Sequence, residues 1–191
     1  MSKLKDYDLY FIHIPKNGGT SFQKQFCNNH LGHCKIDKFP KEIWNKTIAI
    51  VRNPYARVFS IYNYAKLKKS YWHSFDGSTR YDIHPLYNYC STHTFEQFVK
   101  DLCIKNKFQK NCVHTTPQFN WIITPNNTIV SKIVKFENID EELSNILKKK
   151  VNLIKLNSST NKNYEEYYTK ELKEYVYKKY EKDFKLFNYK F

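Results

Sequence analysis

The sequence predicts an α/β fold with a largely parallel sheet. Short apolar, β-rich segments alternate along the chain with segments of helical periodicity. Apolar residues make up 41% and aromatic residues 17% of the 191 residues, which is enough to bury a core and excludes a wholly disordered chain. Two predicted strands end in polar turns that open a helix, and in such folds ligands bind at the carboxyl ends of the strands.

The N-terminal third contains two predicted strands, each followed by a helix. Residues 8–14 form an apolar run that is typical of a buried strand. A turn over residues 15–21 then leads into a helix. Residues 47–51 predict the second strand, and Asn53-Pro54 supplies an N-cap and a first-turn proline for the helix that follows.

The middle of the chain predicts an insertion and a capped helix. Residues 67–92 are polar and aromatic and contain turn residues, so we expect an irregular insertion that faces the substrate. Thr94, followed three residues later by Gln97, predicts a capping box at the start of the next helix.

The C-terminal third predicts two further strands and two further helices. The strands are expected at residues 131–136 and 151–156. Asn138 with Glu141 resembles a capping box for the helix between them. The last helix is expected from about Tyr164 to Phe184.

Length, charge and cysteine usage limit the classes of function. We expect a single domain over residues 1–191. The 32 basic and 18 acidic residues give a net charge of +14, which favours an anionic partner such as a nucleic acid, an anionic cofactor, an acidic glycan or a membrane surface. No apolar run is long enough to span a membrane and no secretory signal is evident, so a soluble, cytoplasmic protein is expected. Five cysteines without a CxxC pair predict reduced thiols and no metal site.

Arginine and glycine are scarce, which makes their positions informative. Three of the 32 basic residues are arginines, and two of these, Arg52 and Arg57, lie within six residues of each other. A guanidinium can hold a phosphate or sulfate at two points, which lysine cannot do. Two of the four glycines, Gly18 and Gly19, fall in the turn after the first strand, where a side chain would obstruct an approaching group.

The first candidate anion-binding element is the segment HIPKNGGTS, residues 13–21. A strand that runs into a Gly-containing turn and then a helix directs backbone N–H groups and a positive helix end toward an anion. Lys16 adds a charge, and Thr20 and Ser21 add hydroxyl donors. The pattern differs from the nucleotide-binding P-loop GxxxxGK[ST], because Lys16 precedes both glycines. The alternative is a plain strand–turn–helix with an exposed lysine.

The second candidate element is the segment VRNPYARVFS, residues 51–60, which follows the second strand. Arg52 stands at the end of that strand, so its guanidinium can reach the same surface as Lys16. Ser60 lies two turns into the helix. Together the two elements predict a ligand with two separated phosphates; the alternative is that Arg52 pairs with a surface carboxylate.

HIPKNGGTS followed by VRNPYARVFSIY resembles the 5′-phosphosulfate and 3′-phosphate motifs of the sulfotransferases that use 3′-phosphoadenylyl sulfate (PAPS). More narrowly, it resembles the carbohydrate sulfotransferases of chondroitin, dermatan and heparan sulfate. Three further segments agree in order, so that the resemblance covers nearly the whole chain: HTTPQF (114–119), KFENIDEEL (135–143) and NSSTNKNYEEYYTKEL (157–172). It implies a three-layer α/β sandwich with a mostly parallel sheet, like that of the P-loop nucleotide kinases.

The resemblance also implies a site and a reaction. The turn would hold the 5′-phosphosulfate of PAPS through Pro15, Lys16, Asn17, Gly18, Gly19, Thr20 and Ser21. Arg52 and Ser60 would hold the 3′-phosphate, and residues 157–163 would close over the nucleotide through Ser158, Thr160 or Asn163. The implied reaction is in-line transfer of a sulfuryl group to a hydroxyl, in the first place that of a carbohydrate, without a metal. The nucleotide product would be adenosine 3′,5′-bisphosphate.

The acceptor hydroxyl must lose its proton near neutral pH, and a histidine is the natural base. His33 follows Gly32 between the two motifs, where related enzymes place a Gly-His base, so His33 is the predicted base. Lys16 is predicted to stabilise charge on the bridging oxygen as the bond breaks. His114 and Gln118 are predicted contacts of the acceptor, and an anionic acceptor would suit the net charge.

Two other functions stay open at the level of the sequence. A phosphoryl-transfer enzyme of the related kinase fold would need an acidic Mg²⁺ ligand near the turn and a lysine after the second glycine, and neither is evident. A non-enzymatic basic module that binds acidic glycan or nucleic acid would explain the net charge but not the gathering of Gly and Arg at two strand ends, so we expect no nucleic acid. Most animal members of the resembled group are anchored in the Golgi, and the Golgi lumen would apply here only if an anchor had been trimmed.

Overall fold

The computed structural model describes residues 2–29, 32–67, 70–73, 79–109, 112–129, 131–154 and 163–190. The strands in these ranges are β1 (Ser2–Lys3), β2 (Tyr10–Ile12), β3 (Thr47–Val51), β4 (Ser70–His73), β5 (Thr79–Asp82) and β6 (Lys132–Lys135). The α-helices are α1 (Gly19–Phe26), α2 (Pro54–Ala65), α3 (Tyr87–Cys90), α4 (Phe95–Cys103), α5 (Phe119–Ile122), α6 (Ile139–Leu147) and α7 (Lys170–Leu186). Short 3₁₀ helices cover Ile36–Lys38, Lys41–Lys46, Val113–Thr115, Phe136–Asn138 and Tyr164–Tyr167.

The chain forms two compact units. Unit 1 comprises Met1–Arg52, His73–Thr79 and Gln118–Asn157. Unit 2 comprises Asn53–Trp72, Arg80–Pro117 and Ser158–Phe191. The single domain expected from the sequence stays a prediction. None of the described helices has the length and apolar character needed to cross a membrane.

Unit 1 is built on a four-stranded sheet in the order β1-β2-β3-β6. β2, β3 and β6 are parallel, and β1 pairs antiparallel with β2 at the edge. All five residues of β3 are buried, as expected for the middle of a sheet that is covered on both faces. Ile48 and Ile50 of β3 join Phe22 of α1 and Leu143 of α6 in one apolar core. The α/β class with a mostly parallel sheet is therefore confirmed, while the three-layer arrangement stays a prediction.

Three of the four predicted strands are confirmed. Residues 8–14 contain the shorter strand β2, residues 47–51 are β3, and residues 131–136 contain β6. The edge strand β1 was missed, because two residues are too few to produce a periodic pattern.

The fourth predicted strand, at 151–156, is wrong over its described part, since residues 151–154 adopt no regular structure. Three backbone N–H groups there are bound by side chains of α6 and α1 instead of a neighbouring strand, and that of Ile154 donates to Gln25 Oε1 of α1 at 3.1 Å. Val151 N donates to Ser144 Oγ at 2.9 Å, and Leu153 N donates to Asp140 Oδ1 at 2.8 Å. Residues 155 and 156 lie outside the described residues.

Unit 2 is built around helices α2, α4 and α7, which pack against one another. Its core is rich in aromatic side chains, among them Phe59 of α2, Phe95 of α4 and Phe184 of α7. The Phe59 and Phe95 rings meet edge to face, with centroids 5.3 Å apart. This is a favoured aromatic geometry, and it adds to the stabilisation that burial alone provides.

Arg57 lies inside unit 2 and is 1% exposed. Its Nη2 donates to the His114 carbonyl oxygen at 2.8 Å, and the nearby Tyr180 hydroxyl donates to the Thr115 carbonyl oxygen at 2.9 Å. Burial lowers the pKa of Arg57, while Tyr180 and Asp183 act in the opposite direction. This scarce arginine therefore stabilises the core of unit 2, joining α2 to the 3₁₀ helix Val113–Thr115.

The local signals at the starts of α2 and α4 are confirmed. Asn53 caps α2 by accepting from Tyr55 N at 2.9 Å, and Pro54 is the first helical residue. Thr94 Oγ1 accepts from Gln97 N at 3.2 Å, and Gln97 Oε1 accepts from Thr94 N at 2.9 Å, which completes the capping box.

Three other local predictions are wrong. The segment 67–92 is not irregular throughout, because β4 and β5 form a two-stranded sheet and α3 follows them. Asn138 makes no side-chain capping bond to α6. The last helix begins at Lys170, six residues later than expected, because Thr169 supplies the N-cap by accepting from Leu172 N.

Candidate active site

The turn after β2 has an uncommon backbone conformation. Lys16 has φ of 70° and Gly18 has φ of 78°, both in the left-handed region. A left-handed residue other than glycine is strained, and such residues cluster at functional sites. Helix α1 then starts at Gly19 with no side-chain cap and no acidic residue in its first turn. The positive end of the helix is therefore available to an anion.

Both glycines of the turn stand where a side chain does not fit. A Cβ on Gly18 would lie 2.7 Å from Cε2 of Phe136, and a Cβ on Gly19 would overlap the ring of His13. His13 is 6% exposed and lies beneath the turn. The backbone thus approaches these two rings more closely than any other residue type would permit.

Asn17 and Gln118 are the most deeply buried polar residues of this region, with exposed fractions of 1% and 0%. Asn17 Nδ2 donates to the Ile50 carbonyl oxygen and to Gln118 Oε1, both at 2.7 Å. Gln118 Oε1 also accepts from Arg52 N at 2.8 Å, and Gln118 Nε2 donates to Arg52 O at 2.8 Å. One glutamine therefore connects the turn to the end of β3.

The guanidinium of Arg52 lies beside the turn. Its Nη1 donates to the Lys16 carbonyl oxygen at 3.3 Å. The guanidinium also stacks over the Phe136 ring, 4.6 Å from the ring centroid. The turn and Arg52 thus lie side by side at the carboxyl ends of the parallel strands β2 and β3.

His33 stands next to the same turn. Its Nδ1 lies 2.9 Å from the His13 carbonyl oxygen. A carbonyl oxygen can only accept, so Nδ1 carries the proton and the Nε2 of a neutral His33 is left as the basic nitrogen. The ring also contacts Trp121 edge-on, with centroids 6.0 Å apart. The imidazole of His33 is half-buried.

A model of the sulfotransferase family matches residues 4–190. The chain belongs to the sulfotransferase family. Its activity is therefore of the transferase class, the transfer of a sulfuryl group. The comparison supports neither the phosphoryl-transfer enzyme nor the non-enzymatic basic module. Comparisons with curated proteins and with solved structures found no match.

The other predicted site residues of this sulfotransferase divide between the two units. The remaining turn residues Pro15, Thr20 and Ser21 belong to unit 1. Ser60 and His114 belong to unit 2, where they are 8% and 4% exposed. Asn163 also belongs to unit 2 and caps the 3₁₀ helix Tyr164–Tyr167, accepting from Glu165 N at 3.2 Å. Ser158 and Thr160 lie outside the described residues.

Phe136 and Trp121 were missed by reasoning from the sequence, although both contact predicted site residues of the sulfotransferase. Phe136 lies under Gly18 and Arg52, and Trp121 contacts His33. Phe136 lies in the segment KFENIDEEL, and Trp121 follows two residues after the segment HTTPQF; both segments support the resemblance. An aromatic residue on its own carries no local signal that distinguishes a site from a core.

Unit 2 contains a buried cluster whose possible metal-ligating atoms lie within 4.8 Å of one another. It consists of His84, Cys112 and His114. Leu86 N donates to His84 Nδ1 at 3.1 Å, so the proton of a neutral His84 is on Nε2 and is donated to His114 Nδ1 at 2.9 Å. A metal ion bound at His84 Nε2 would move that proton to Nδ1, where it would face the Leu86 N–H. Burial raises the pKa of the Cys112 thiol to about 11. These groups therefore form a buried hydrogen-bonded imidazole pair beside a neutral thiol.

Proposed function

We propose that this sulfotransferase moves the sulfuryl group of PAPS to a hydroxyl of a carbohydrate, with His33 as base and adenosine 3′,5′-bisphosphate as the nucleotide product. One observation carries the proposal: the turn at Lys16 and the guanidinium of Arg52 are 3.3 Å apart at neighbouring strand ends. A nucleotide with phosphates at both its 5′ and 3′ positions needs two such anion-binding groups at close range.

The turn would bind the 5′-phosphosulfate end of the donor. The positive end of α1 and the backbone N–H groups of Gly18 and Gly19 favour an anion there. Lys16 adds a full charge, which would stabilise the negative charge that develops on the bridging oxygen as its bond to sulfur breaks. Thr20 and Ser21 add hydroxyl donors in the first turn of α1.

Arg52 would bind the 3′-phosphate, and Ser60 is proposed as a second donor to it. Arg52 is suited to this because a guanidinium donates two parallel hydrogen bonds to a phosphate. Stacking on Phe136 restricts the guanidinium before the ligand arrives, which lowers the ordering cost of binding. Ser158, Thr160 and Asn163 are proposed to cover the nucleotide, and His114 to contact the acceptor.

His33 would take the proton of the acceptor hydroxyl. In the transfer, the bond from the acceptor oxygen to sulfur forms while the bond from sulfur to the bridging oxygen breaks. The hydroxyl proton goes to His33 Nε2, since Nδ1 is already the donor to the His13 carbonyl oxygen. The negative charge goes to the departing phosphate oxygen beside Lys16. No residue in this scheme requires a metal ion.

The acceptor is proposed to be a carbohydrate, and the net charge of +14 suits one that carries negative charge. Incubation with sulfur-labelled PAPS and a panel of neutral and acidic glycans, small alcohols and a tyrosine peptide tests this. Labelled glycan is the expected product. Label on the tyrosine peptide or on small alcohols alone would assign a different acceptor class.

The catalytic assignments predict that His33→Ala and Lys16→Ala each lower turnover by about 10² to 10⁴-fold, because a base and an electrostatic stabiliser are lost. The measurement is the initial rate of label transfer at saturating PAPS. His93→Ala is the matched control, since His93 Nδ1 also lies close to a backbone carbonyl oxygen, that of Tyr89 at 3.0 Å. Turnover within threefold of wild type in His33→Ala, with His93→Ala unchanged, would remove His33 from the role of base.

A further inference from the structure

Asn17, Gln118 and Arg52 form a hydrogen-bonded bridge between the turn and the end of β3. Four hydrogen bonds of 2.7–2.8 Å connect these residues and Ile50. Gln118 is 0% exposed, so its amide is enclosed by protein. The acceptor contact predicted for Gln118 stays a prediction, and the enclosed amide supports a second role for this residue.

We propose that Gln118 is a positioning residue that sets the distance between the 5′-phosphosulfate turn and Arg52. Gln118 binds the backbone of Arg52 through both its N–H and its carbonyl oxygen, and it binds the turn through Asn17. The inference rests on the proposed function, because it assumes that one nucleotide bridges the turn and Arg52. Asn17 completes the bridge from the turn side through its second hydrogen bond, to Ile50 O.

The hydrogen bonds fix the orientations of the Asn17 and Gln118 side-chain amides. Gln118 Oε1 accepts two hydrogen bonds, from Asn17 and Arg52, so its two lone pairs are used. Both protons of the Asn17 amide are used on Ile50 and Gln118. Rotating either amide would place like groups against each other, so each amide has one orientation. Such a network fixes positions rather than merely filling space.

A ligand that contacts only one end of the site does not depend on this distance, whereas a ligand that contacts both ends does. The quantity that depends on Gln118 is therefore the ratio of the affinities for a ligand that contacts both ends and a ligand that contacts one end. Adenosine 5′-monophosphate probes the turn alone, and adenosine 3′,5′-bisphosphate probes the turn and Arg52 together. Loss of the bridge is expected to lower the preference for the bisphosphate while leaving binding of the monophosphate less affected.

The test is calorimetric titration of both nucleotides into wild type and Gln118→Met, which keeps the size of the side chain and removes its hydrogen bonds. Wild type is expected to prefer the bisphosphate, and Gln118→Met to lose at least about tenfold of that preference, the size expected when a buried hydrogen-bonding group loses its partner. The control is Gln23→Met, because Gln23 is likewise a buried glutamine of unit 1, at 1% exposed, but bonds Ser2 Oγ at 2.8 Å. The ratio of bisphosphate to monophosphate affinity in Gln23→Met should equal that of wild type.

If Gln118→Met does not fold, as judged by circular dichroism, Asn17→Ser decides, because it opens the bridge from the turn side. The same loss of preference is expected there. An unchanged ratio in the folded variant overturns the positioning role. A wild-type protein that binds neither nucleotide overturns the proposed function itself, so the two failures are distinguishable. A fall of both affinities by the same factor would also contradict the proposal, since it would indicate general disruption.

Discussion

Asp101 on α4 illustrates how single side chains are stabilised in this sulfotransferase. It pairs with Lys105 at 2.7 Å and accepts hydrogen bonds from Tyr89 at 2.9 Å and Lys107 at 3.2 Å. The bond to Lys105 makes the largest contribution, and together these groups lower the pKa of the carboxyl to about 2, although burial acts in the other direction. The carboxylate is therefore more favourable in the folded than in the unfolded chain.

Asp101→Asn is expected to lower the free energy of unfolding at pH 7 by about 1–2 kcal/mol. Because the folded pKa lies below the unfolded value near 4, this stabilisation is present above pH 4 and is lost as the pH falls toward 2. Urea denaturation of both proteins at several pH values measures it. The exposed Asp37→Asn is the control. A difference between wild type and Asp101→Asn that stays constant down to pH 2 would contradict the assignment.

The two neighbouring arginines have different surroundings. Arg57 is enclosed in the core of unit 2, where it satisfies the His114 carbonyl oxygen. Arg52 is half-buried at a strand end beside the turn. The sequence indicated that both arginines are needed as arginines, but a guanidinium is retained equally for a buried hydrogen bond and for a phosphate. Only the structure shows that Arg57 is enclosed while Arg52 is half-buried, and so only Arg52 is proposed to bind a phosphate.

Helix α4 shows how much of an element is local. Its capping box involves Thr94 and Gln97, three residues apart, and its apolar side chains Phe98, Val99 and Leu102 follow helical spacing and are fully buried. Both features depend on contacts between residues close in sequence, so they were predictable. The start of α7 was predicted wrongly. Tyr164–Tyr167 form a separate 3₁₀ helix, and the N-cap of α7 is Thr169.

Thr94→Ala is expected to lower the free energy of unfolding by about 1 kcal/mol, because the N–H of Gln97 loses its acceptor at the start of α4. Thr94→Ser keeps a hydroxyl and serves as the matched variant. Both are compared with wild type by urea denaturation. Equal midpoints for the Ala and Ser variants would show that the hydroxyl does not stabilise the helix.

At the scale of the whole molecule, the charge and the proposed ligand act together. A net charge of +14 is unfavourable for the compact state through self-repulsion, and binding of an anion offsets part of it. A ligand that binds the folded chain alone also stabilises it by mass action. The bisphosphate nucleotide should therefore raise the thermal stability of the intact chain, and added salt should weaken the effect by screening.

Adenosine 3′,5′-bisphosphate at about 100 times its dissociation constant is expected to stabilise the protein by about 2.7 kcal/mol, or roughly 5–10 °C in Tm for a chain of this size. Differential scanning calorimetry measures the shift. Adenosine without phosphates is the control and should leave Tm unchanged. An equal shift with both compounds would exclude the phosphate-binding elements as the origin.

The sequence by itself determined the features that rest on neighbouring residues: the alternation of strands and helices, the caps of α2 and α4, and the glycine turn that precedes α1. Their hydrogen bonds and steric limits lie within a few residues. The tertiary structure alone decided that the edge of the sheet is β1, that Arg57 is buried, and that Gln118 meets Asn17 across 101 residues of chain. Such pairings depend on how the sheet and its covering segments pack. The hydrophobic periodicity of the sequence reports only local structure, so it does not predict them.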